Sequence, residues 1–307
     1  MSNSGILKDK VVIVTGAGRG IGRSIALLAA AEGAKVVVND LGASVNGVGQ
    51  DDGPASEVVN EIRNSGGEAV ASIEDITEWD AAQRIVASAT ERFGRVDVVI
   101  NNAGILRDRI FHQMEPAEFD AVVKVHLYGT FNVSRAAAPV FRAQESGTFV
   151  HMTSSSGLIG NFGQANYAAA KMGVVGLSTS IALDMTRYNV RSNCISPAAF
   201  SRMSETVPRG TPEEQAAYLE KRKRQTRPEQ VAPLAVYLAS DRSSNVNGQI
   251  IGSRGNELYL YSQTRPVRIL QRGEEWNCES IEEVMKTWQA SFVPLQRSRD
   301  VLCWDPL

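Results

Sequence analysis

Cysteine is scarce in this 307-residue chain. There are three, Cys194, Cys278 and Cys303, odd in number and far apart. That spacing gives neither a disulfide framework nor a metal-ligand pattern, so no metal is expected and a reducing, cytoplasmic compartment is. A surplus of charge is missing too. Thirty-two basic and 34 acidic residues leave a net charge of −2, which offers no global field for nucleic acid or an anionic membrane. No apolar run is long enough to span a bilayer, and the N-terminus lacks a basic-then-apolar leader. The last residues, Trp304-Asp305-Pro306-Leu307, are not a peroxisomal tripeptide. At 43% apolar and 21% charged, the chain can bury a large core. Its length is a soft prior for two domains, although doubly wound α/β folds use roughly 200–250 residues as one.

Strand-like and helix-like segments alternate. Lys10-Val11-Val12-Ile13-Val14-Thr15 is a continuous apolar run of strand length, as in a strand buried on both faces. Residues 35–39, 68–72, 96–100, 148–153 and 190–195 read as further strands, with helices over 81–93, 116–142 and 164–187. This order predicts a parallel sheet with helices on both faces, and ligands then bind beyond the carboxyl ends of the strands. Asp40, Asp75, Asn102, Ser154 and the Ser196-Pro197 loop all fall at such ends.

The first strand runs into Gly16-Ala17-Gly18-Arg19-Gly20-Ile21-Gly22, after which Ile21, Ile25 and Leu28 recur at helical spacing until Gly33. A strand, a glycine turn and a helix N-terminus make a pyrophosphate site, because backbone N–H groups and the helix dipole both face the anion. Asp40 ends the second strand about 20 residues on, where a carboxylate accepts from a ribose 2′-hydroxyl and repels a 2′-phosphate. NAD is therefore expected rather than NADP. A lone glycine pattern is as often only a tight turn; the strand, helix and Asp40 around it argue against that reading here.

Tyr167-Ala168-Ala169-Ala170-Lys171 puts a phenol and an ammonium one helical turn apart on one face. A free tyrosine, with a pKa of about 10, is a poor base at neutral pH. An adjacent cation favours the phenolate and brings it towards the range useful for proton transfer. Ser154, from a strand end, could hydrogen-bond the same substrate oxygen, with Ser155 and Ser156 as rivals. Alone, the tyrosine–lysine pair is a common surface pattern.

Taken together, Thr15-Gly-x-Gly-x-Gly-x-Gly22, Asn101-Asn-Ala-Gly104 and Ser154…Tyr167-x-x-x-Lys171 resemble the short-chain dehydrogenase/reductase family over about residues 6–255. Several stretches resemble one branch, the (3R)-hydroxyacyl-CoA dehydrogenase unit of peroxisomal multifunctional enzymes of type 2 and its bacterial relatives. They are residues 37–42, 102–109, 160–167, 201–203 and 231–234, with the glycine-containing insertion from Gly42 to Gly53. The resemblance implies a Rossmann-type doubly wound parallel sheet in one domain, residues 1–255. Residues 256–307 would be a C-terminal extension packed on that domain or on a partner subunit.

It also implies roles. Tyr167 is the general base of alcohol oxidation, Lys171 lowers its pKa and holds the nicotinamide ribose, and Ser154 binds the substrate oxygen. Gly16, Arg19, Gly20 and Ile21 line the pyrophosphate and adenosine side. Asp75 and Ile76 meet the adenine, Asn102, Ala103 and Gly104 the ribose and nicotinamide. Pro197, Ala199 and Ser201 belong to a loop over the nicotinamide. The implied reaction moves hydride between NAD and C3 of a (3R)-hydroxyacyl-CoA in β-oxidation-type degradation, in a homodimer or homotetramer. A secondary-alcohol or hydroxysteroid dehydrogenase is the alternative. An acyl-carrier-protein ketoreductase is opposed by Asp40, since such enzymes usually need NADPH. A nucleotide-sensing scaffold would usually have lost Tyr167 or Lys171, and both are present.

Two positions depart from the family pattern. His126 stands where many members have an asparagine that serves a proton relay; a histidine packed in a long helix is the commoner role. The usual Pro-Gly after the sixth strand reads Pro197-Ala198, a change in loop freedom. Lys221-Arg222-Lys223-Arg224, in a helical stretch between Pro212 and Pro228, reads first as a solvated face and second as cations for CoA phosphates. In the extension, residues 257–261 and 266–270 read as strands. Ser280-Ile-Glu-Glu283 reads as the cap of a helix to about Ala290. Its stripe of Ile281, Val284, Met285 and Trp288 is more often core or subunit packing than substrate contact.

Overall fold

A computed structural model describes residues 5–200 and 211–304. Its centre is an eight-stranded sheet: β1 (Val11–Thr15), β2 (Lys35–Asn39), β3 (Glu68–Ser72), β4 (Val98–Asn101), β5 (Gly147–Met152), β6 (Val190–Ala198), β7 (Ile250–Arg254) and β8 (Glu257–Leu260). The spatial order is β3-β2-β1-β4-β5-β6-β7-β8, parallel throughout except for the antiparallel β7–β8 pair. The order reverses between β1 and β4, so a crevice opens there at the carboxyl ends of the strands.

β1 shows why the sheet is buried on both sides. Val12 and Val14 point into one core with α1 (Gly20–Ala31), α2 (Gly53–Asn64) and the later helix Ala232–Ala239. Val11 and Ile13 point into the other, with α3 (Trp79–Phe93) and Phe141 and Phe149. Alternation is absent from the sequence of β1 because both faces need apolar side chains. Each fully buried valine or isoleucine contributes about 1.5–3 kcal/mol of transfer free energy.

The long helix expected over residues 116–142 is divided. α4 (Pro116–Val123) begins at a capping box of Glu115 and Glu118, and α5 (Gly129–Gln144) follows. Between them Lys124–Tyr128 forms a π-helical turn that carries His126. The short α6 (Ser155–Leu158) leads to α7 (Ala165–Met185). Beyond it lie α8 (Pro212–Gln225), α9 (Ala232–Ala239), α10 (Cys278–Trp288) and α11 (Ser298–Val301).

The extension corrects two expectations. Residues 266–270 form no strand, because this β-branched run has no neighbouring strand to pair with, and Val267, Ile269 and Leu270 lie exposed. The cap of α10 is Asn277, whose side chain accepts from the Ser280 N–H at 2.9 Å; Ser280 answers as the N3 member of the box. The helix therefore starts at Cys278 and stops at Trp288. None of the helix's residues is buried: in its apolar stripe Val284 and Trp288 are half-buried and Ile281 and Met285 exposed. The extension returns at its end: Ser298 N donates to Gly160 O at 2.8 Å, and Arg254 is stacked 4.8 Å from the Trp304 ring.

Candidate active site

One cleft of about 430 Å³ runs from the glycine turn to Tyr167 and Lys171 across the β1/β4 crevice. Its walls include Gly16, Arg19, Gly20, Ile21, Asp40, Asp75, Ile76, Asn102, Ala103, Gly104, Tyr167, Lys171 and Pro197. Ala199 is not among the lining residues, and Ser201 lies outside the described residues. Met152 and Thr153 line the same cleft at the end of β5, directly before Ser154.

The turn after β1 is shaped for an anion. Gly20 has φ +54° with open space where a Cβ would stand, whereas a Cβ on Gly22 would collide with the Gly16 carbonyl. The helix α1 has Arg19 at its N-cap, no side-chain cap and no acid in its first turn. Its leading N–H groups are therefore left for a bound group. Asp40 is held in place by the turn itself: Oδ2 accepts from Gly18 N at 2.7 Å and Oδ1 from Gly42 N at 2.8 Å. Asn102 ties β4 to β1 by donating from Nδ2 to the Thr15 and Gly16 carbonyls, both at 3.0 Å. Thr15 Oγ1 accepts from the Asn102 and Ala103 N–H groups at 3.0 and 3.1 Å. This geometry fits a dinucleotide: an uncapped helix end for phosphates, a fixed carboxylate for a ribose, and apolar walls beyond.

At the other end Ser154 caps α6, its Oγ accepting from Ser156 N at 3.1 Å. Of the three serines, Ser154 is the one whose hydroxyl acts on the Tyr167 phenol, in the direction that favours the phenolate. Burial pushes that phenol up to about 12; the Ser154 bond opposes the rise and the Asp108 charge adds to it. Burial likewise pulls Lys171 down to about 7, with the Cys194 side opposing. Its Nζ donates to Met152 O at 2.6 Å and lies 5.6 Å from the centre of the Tyr167 ring. Desolvation rather than the lysine governs the tyrosine.

His126 is buried against Gly104, with Nε2 2.8 Å from Ile105 O and 3.2 Å from Ile105 N. Its ring meets Tyr167 edge-on with centroids 5.0 Å apart. Burial, and then the Lys171 charge, hold its pKa well below the usual imidazole value. It is a neutral packed histidine that also pins the segment after β4, and its Nδ1 has no hydrogen-bond partner among the described residues. Among the described residues no cluster of three or more His, Cys, Asp or Glu could hold a metal.

Sequence reasoning missed two contributors. The insertion after Asp40 folds onto the cleft, and Leu41, Ala43, Ser44, Val45 and Gly47 line it. It is tethered by Leu106 N to Val45 O at 3.1 Å and by Arg107 to Asn46 O. Its glycines were the only signal, and they mark turns without saying where the loop lands. Asp108 and Gln164 were the second omission, being 56 residues apart in sequence and bonded at 2.8 Å.

An uncapped helix end at a Rossmann switch point, sharing one cleft with half-buried Tyr167 and buried Lys171, defines a nicotinamide-dependent oxidoreductase. The comparisons agree. A family profile described as enoyl-(acyl carrier protein) reductase matches residues 16–253, and the chain belongs to the short-chain dehydrogenase/reductase family. It is 45% identical over 239 residues to mouse peroxisomal multifunctional enzyme type 2, covering 78% of this chain and 31% of that protein. The chain thus spans about a third of the multifunctional enzyme. It is 36% identical to hydroxyacyl-CoA dehydrogenase ChsB1 of Mycobacterium tuberculosis, covering 96% of this chain and 93% of the relative. A solved 7α-hydroxysteroid dehydrogenase complexed with NADH and 7-oxo glycochenodeoxycholic acid superposes with a TM-score of 0.73. It shares 32% identity, with 83% of this chain and 97% of that one covered. No helix among the described residues is long and apolar enough to cross a membrane.

Proposed function

We propose that this protein oxidises the C3 hydroxyl of a (3R)-hydroxyacyl-CoA to the 3-ketoacyl-CoA with NAD. The observation that carries the reading is the single cleft joining the uncapped glycine turn and Asp40 to Tyr167 and Lys171. The near full-length likeness to a hydroxyacyl-CoA dehydrogenase supports the thioester. NAD is favoured over NADP by Asp40, a fixed carboxylate whose charge would repel a 2′-phosphate.

The roles follow from the geometry. Ser154 Oγ accepts from Ser156 N–H, and its proton, which favours the Tyr167 phenolate, can turn to the substrate oxygen when substrate is bound. Tyr167 takes the hydroxyl proton as the carbonyl forms. When bound, the oxidised nicotinamide ring supplies the hydride acceptor and a positive charge beside the phenol. Lys171 stands behind Tyr167 on the next helical turn, where it can meet the ribose and favour the phenolate once its cleft is filled. Gly16, Arg19, Gly20 and Ile21 would hold the pyrophosphate, Asp75 and Ile76 the adenine, and Asn102 to Gly104 the nicotinamide side, with Pro197 above it.

The extension serves assembly in this reading. Its exposed stripe on α10 is covered by a second copy of the chain, giving a homodimer or homotetramer, while its last turn docks beside Gly160. Three unpaired cysteines, one buried and two exposed, suit a cytoplasmic setting.

The test is NAD reduction measured with (3R)-hydroxyacyl-CoA thioesters and with free steroid alcohols. Turnover of the thioester, abolished in Tyr167→Phe with NAD binding intact, is the expected result. Activity on the steroid alcohol alone would replace this reading with the hydroxysteroid alternative, which the likeness to the 7α-hydroxysteroid enzyme supports.

A further inference from the structure

A chain of hydrogen bonds runs from the surface to the reacting hydroxyls. Asp108, on the segment after β4, accepts from Gln164 Nε2 through Oδ2 at 2.8 Å. A carboxylate can only accept, so the amide of Gln164 is locked with its oxygen facing inward. That oxygen takes the Ser156 hydroxyl at 2.8 Å and Asn161 Nδ2 at 3.1 Å. Ser156 N–H donates in turn to Ser154 Oγ, and the Ser154 hydroxyl favours ionisation of the Tyr167 phenol. The acid at the outer end sets the Gln164 amide and with it the Ser156 hydroxyl, while the Ser156 N–H is a backbone donor placed by the first turn of α6. Neighbouring bonds clamp the same two segments: Arg109 N donates to Gly163 O at 2.8 Å, and Asn166 Nδ2 to Arg107 O at 2.8 Å.

We propose that Asp108 is a positioning residue of this site, holding through Gln164 and the Ser156 side chain the first turn of α6, whose Ser156 N–H seats the Ser154 hydroxyl. It touches neither substrate nor cofactor in this role. The inference rests on the dehydrogenase reading of the Ser154–Tyr167 pair and goes beyond it. No local motif marks Asp108, because its partner lies 56 residues away.

The charge of Asp108 has a second effect. It opposes ionisation of Tyr167, in the same direction as burial. The other groups facing the phenol are Lys171 on α7, turned to Met152 O, and neutral His126 on the π turn. Beside Asp108, Arg109 is paired with Glu118 at 2.9 Å, and Arg107 reaches Asn46 O. Neutralising Asp108 thus lowers the pH at which Tyr167 can accept a proton, while preserving an acceptor for Gln164.

The experiment compares Asp108→Asn, Asp108→Ala and Gln164→Leu with the wild type in pH profiles of alcohol oxidation. Asp108→Asn should move the acid limb down by about half a pH unit or more, the effect of a nearby charge partly screened by solvent. Asp108→Ala and Gln164→Leu should lower kcat about tenfold, the scale of one misplaced proton-transfer group, with KM for NAD unchanged. Gln164→Leu keeps the charge and should not move the limb down. A tyrosine ring-carbon titration by 13C NMR, with the Tyr167 signal assigned by its loss in Tyr167→Phe, reads the same shift without substrate. An unmoved limb and an unmoved ring-carbon midpoint in Asp108→Asn, or wild-type kcat in Asp108→Ala, overturn the inference. A wrong substrate assignment shows differently, as a wild-type enzyme that does not oxidise the thioester, and leaves the ring-carbon comparison to decide Asp108.

Discussion

His126 Nε2 lies 2.8 Å from the carbonyl oxygen of Ile105, so the side chain of the π turn holds the segment after β4, where Ile105 lines the cleft. The asparagine usual at this position can offer a donor and an acceptor at once. Histidine offers one nitrogen here and leaves Nδ1 without a partner among the described residues. Replacing it with alanine should destabilise the fold by about 1–3 kcal/mol, the cost of an unpaired buried polar group, and depress turnover. His126→Asn should restore both. Thermal melts and kcat on the two variants decide it; an active, stable His126→Ala would show that only the backbone of the turn matters.

Asp40 is held by two backbone donors, so its charge stands in one place. Asp40→Asn should raise KM for NAD roughly tenfold to a hundredfold, the range for losing a charged hydrogen-bond partner. It should also narrow the gap between NAD and NADP. The ratio of kcat/KM for the two cofactors is the measurement, and an unchanged ratio would remove Asp40 from cofactor choice.

Lys171 leaves a signature in stability. Burial lowers its folded pKa to about 7 from 10.5. Between those values the unfolded chain binds the proton that the folded chain has lost, so stability rises with pH across that window. Below about pH 7 the full cost of burying the ammonium is present. Lys171→Met removes this term, so the cofactor-free variant should gain most over the wild type near pH 6 and progressively less towards pH 10. Parallel melts at several pH values test the slope; a gain that does not vary with pH would place the lysine's charge in solvent.

The extension offers two separable outcomes. Arg254 pairs with Glu257 at 2.8 Å, donates to Leu302 O at 3.1 Å and stacks on Trp304. Arg254→Met should loosen the chain end at a cost of about 2 kcal/mol, because the pair is largely but not wholly buried. Limited proteolysis should then cut after residue 297 faster than in the wild type.

The middle of the extension is different. Ile281 and Met285 are exposed on α10, and acidic residues at both should leave the melting temperature of the single chain little changed. Light scattering should show a lower particle mass for Ile281→Asp/Met285→Asp than for the wild type. A monomeric wild type would rule out a second copy as the cover of α10.

Much of the site could be read from the sequence because its constraints are local. A glycine at positive φ and an uncapped helix start lie within a few residues of each other, and Asp40 ends the next strand. The same holds for Tyr167 and Lys171, one helical turn apart. What could not be read depends on distant partners. Residues 266–270 have strand chemistry but no strand beside them. Asn277 and Ser280 are both able to cap, and only backbone geometry chooses Asn277. The insertion's seat on the cleft depends on Leu106 and Arg107, some 60 positions along the chain. The pairing of Asp108 with Gln164 is as remote, and the π turn has a sequence that an α-helix would also accept.

That turn, Lys124–Tyr128, inserts one extra residue into what would otherwise be a single rod. A one-residue insertion shifts helical phase by about 100°, so α4 and α5 present faces that no uninterrupted helix could show together. Deleting one residue between 124 and 128 would leave composition and hydropathy almost untouched. It would nevertheless rotate either His126 away from Ile105 or Asn132 away from the carbonyls of Ile76 and Thr77 that it now serves. The two ends of the cleft are thus kept in step by a miscount in one helix, and single-residue indels there should be far less tolerated than substitutions.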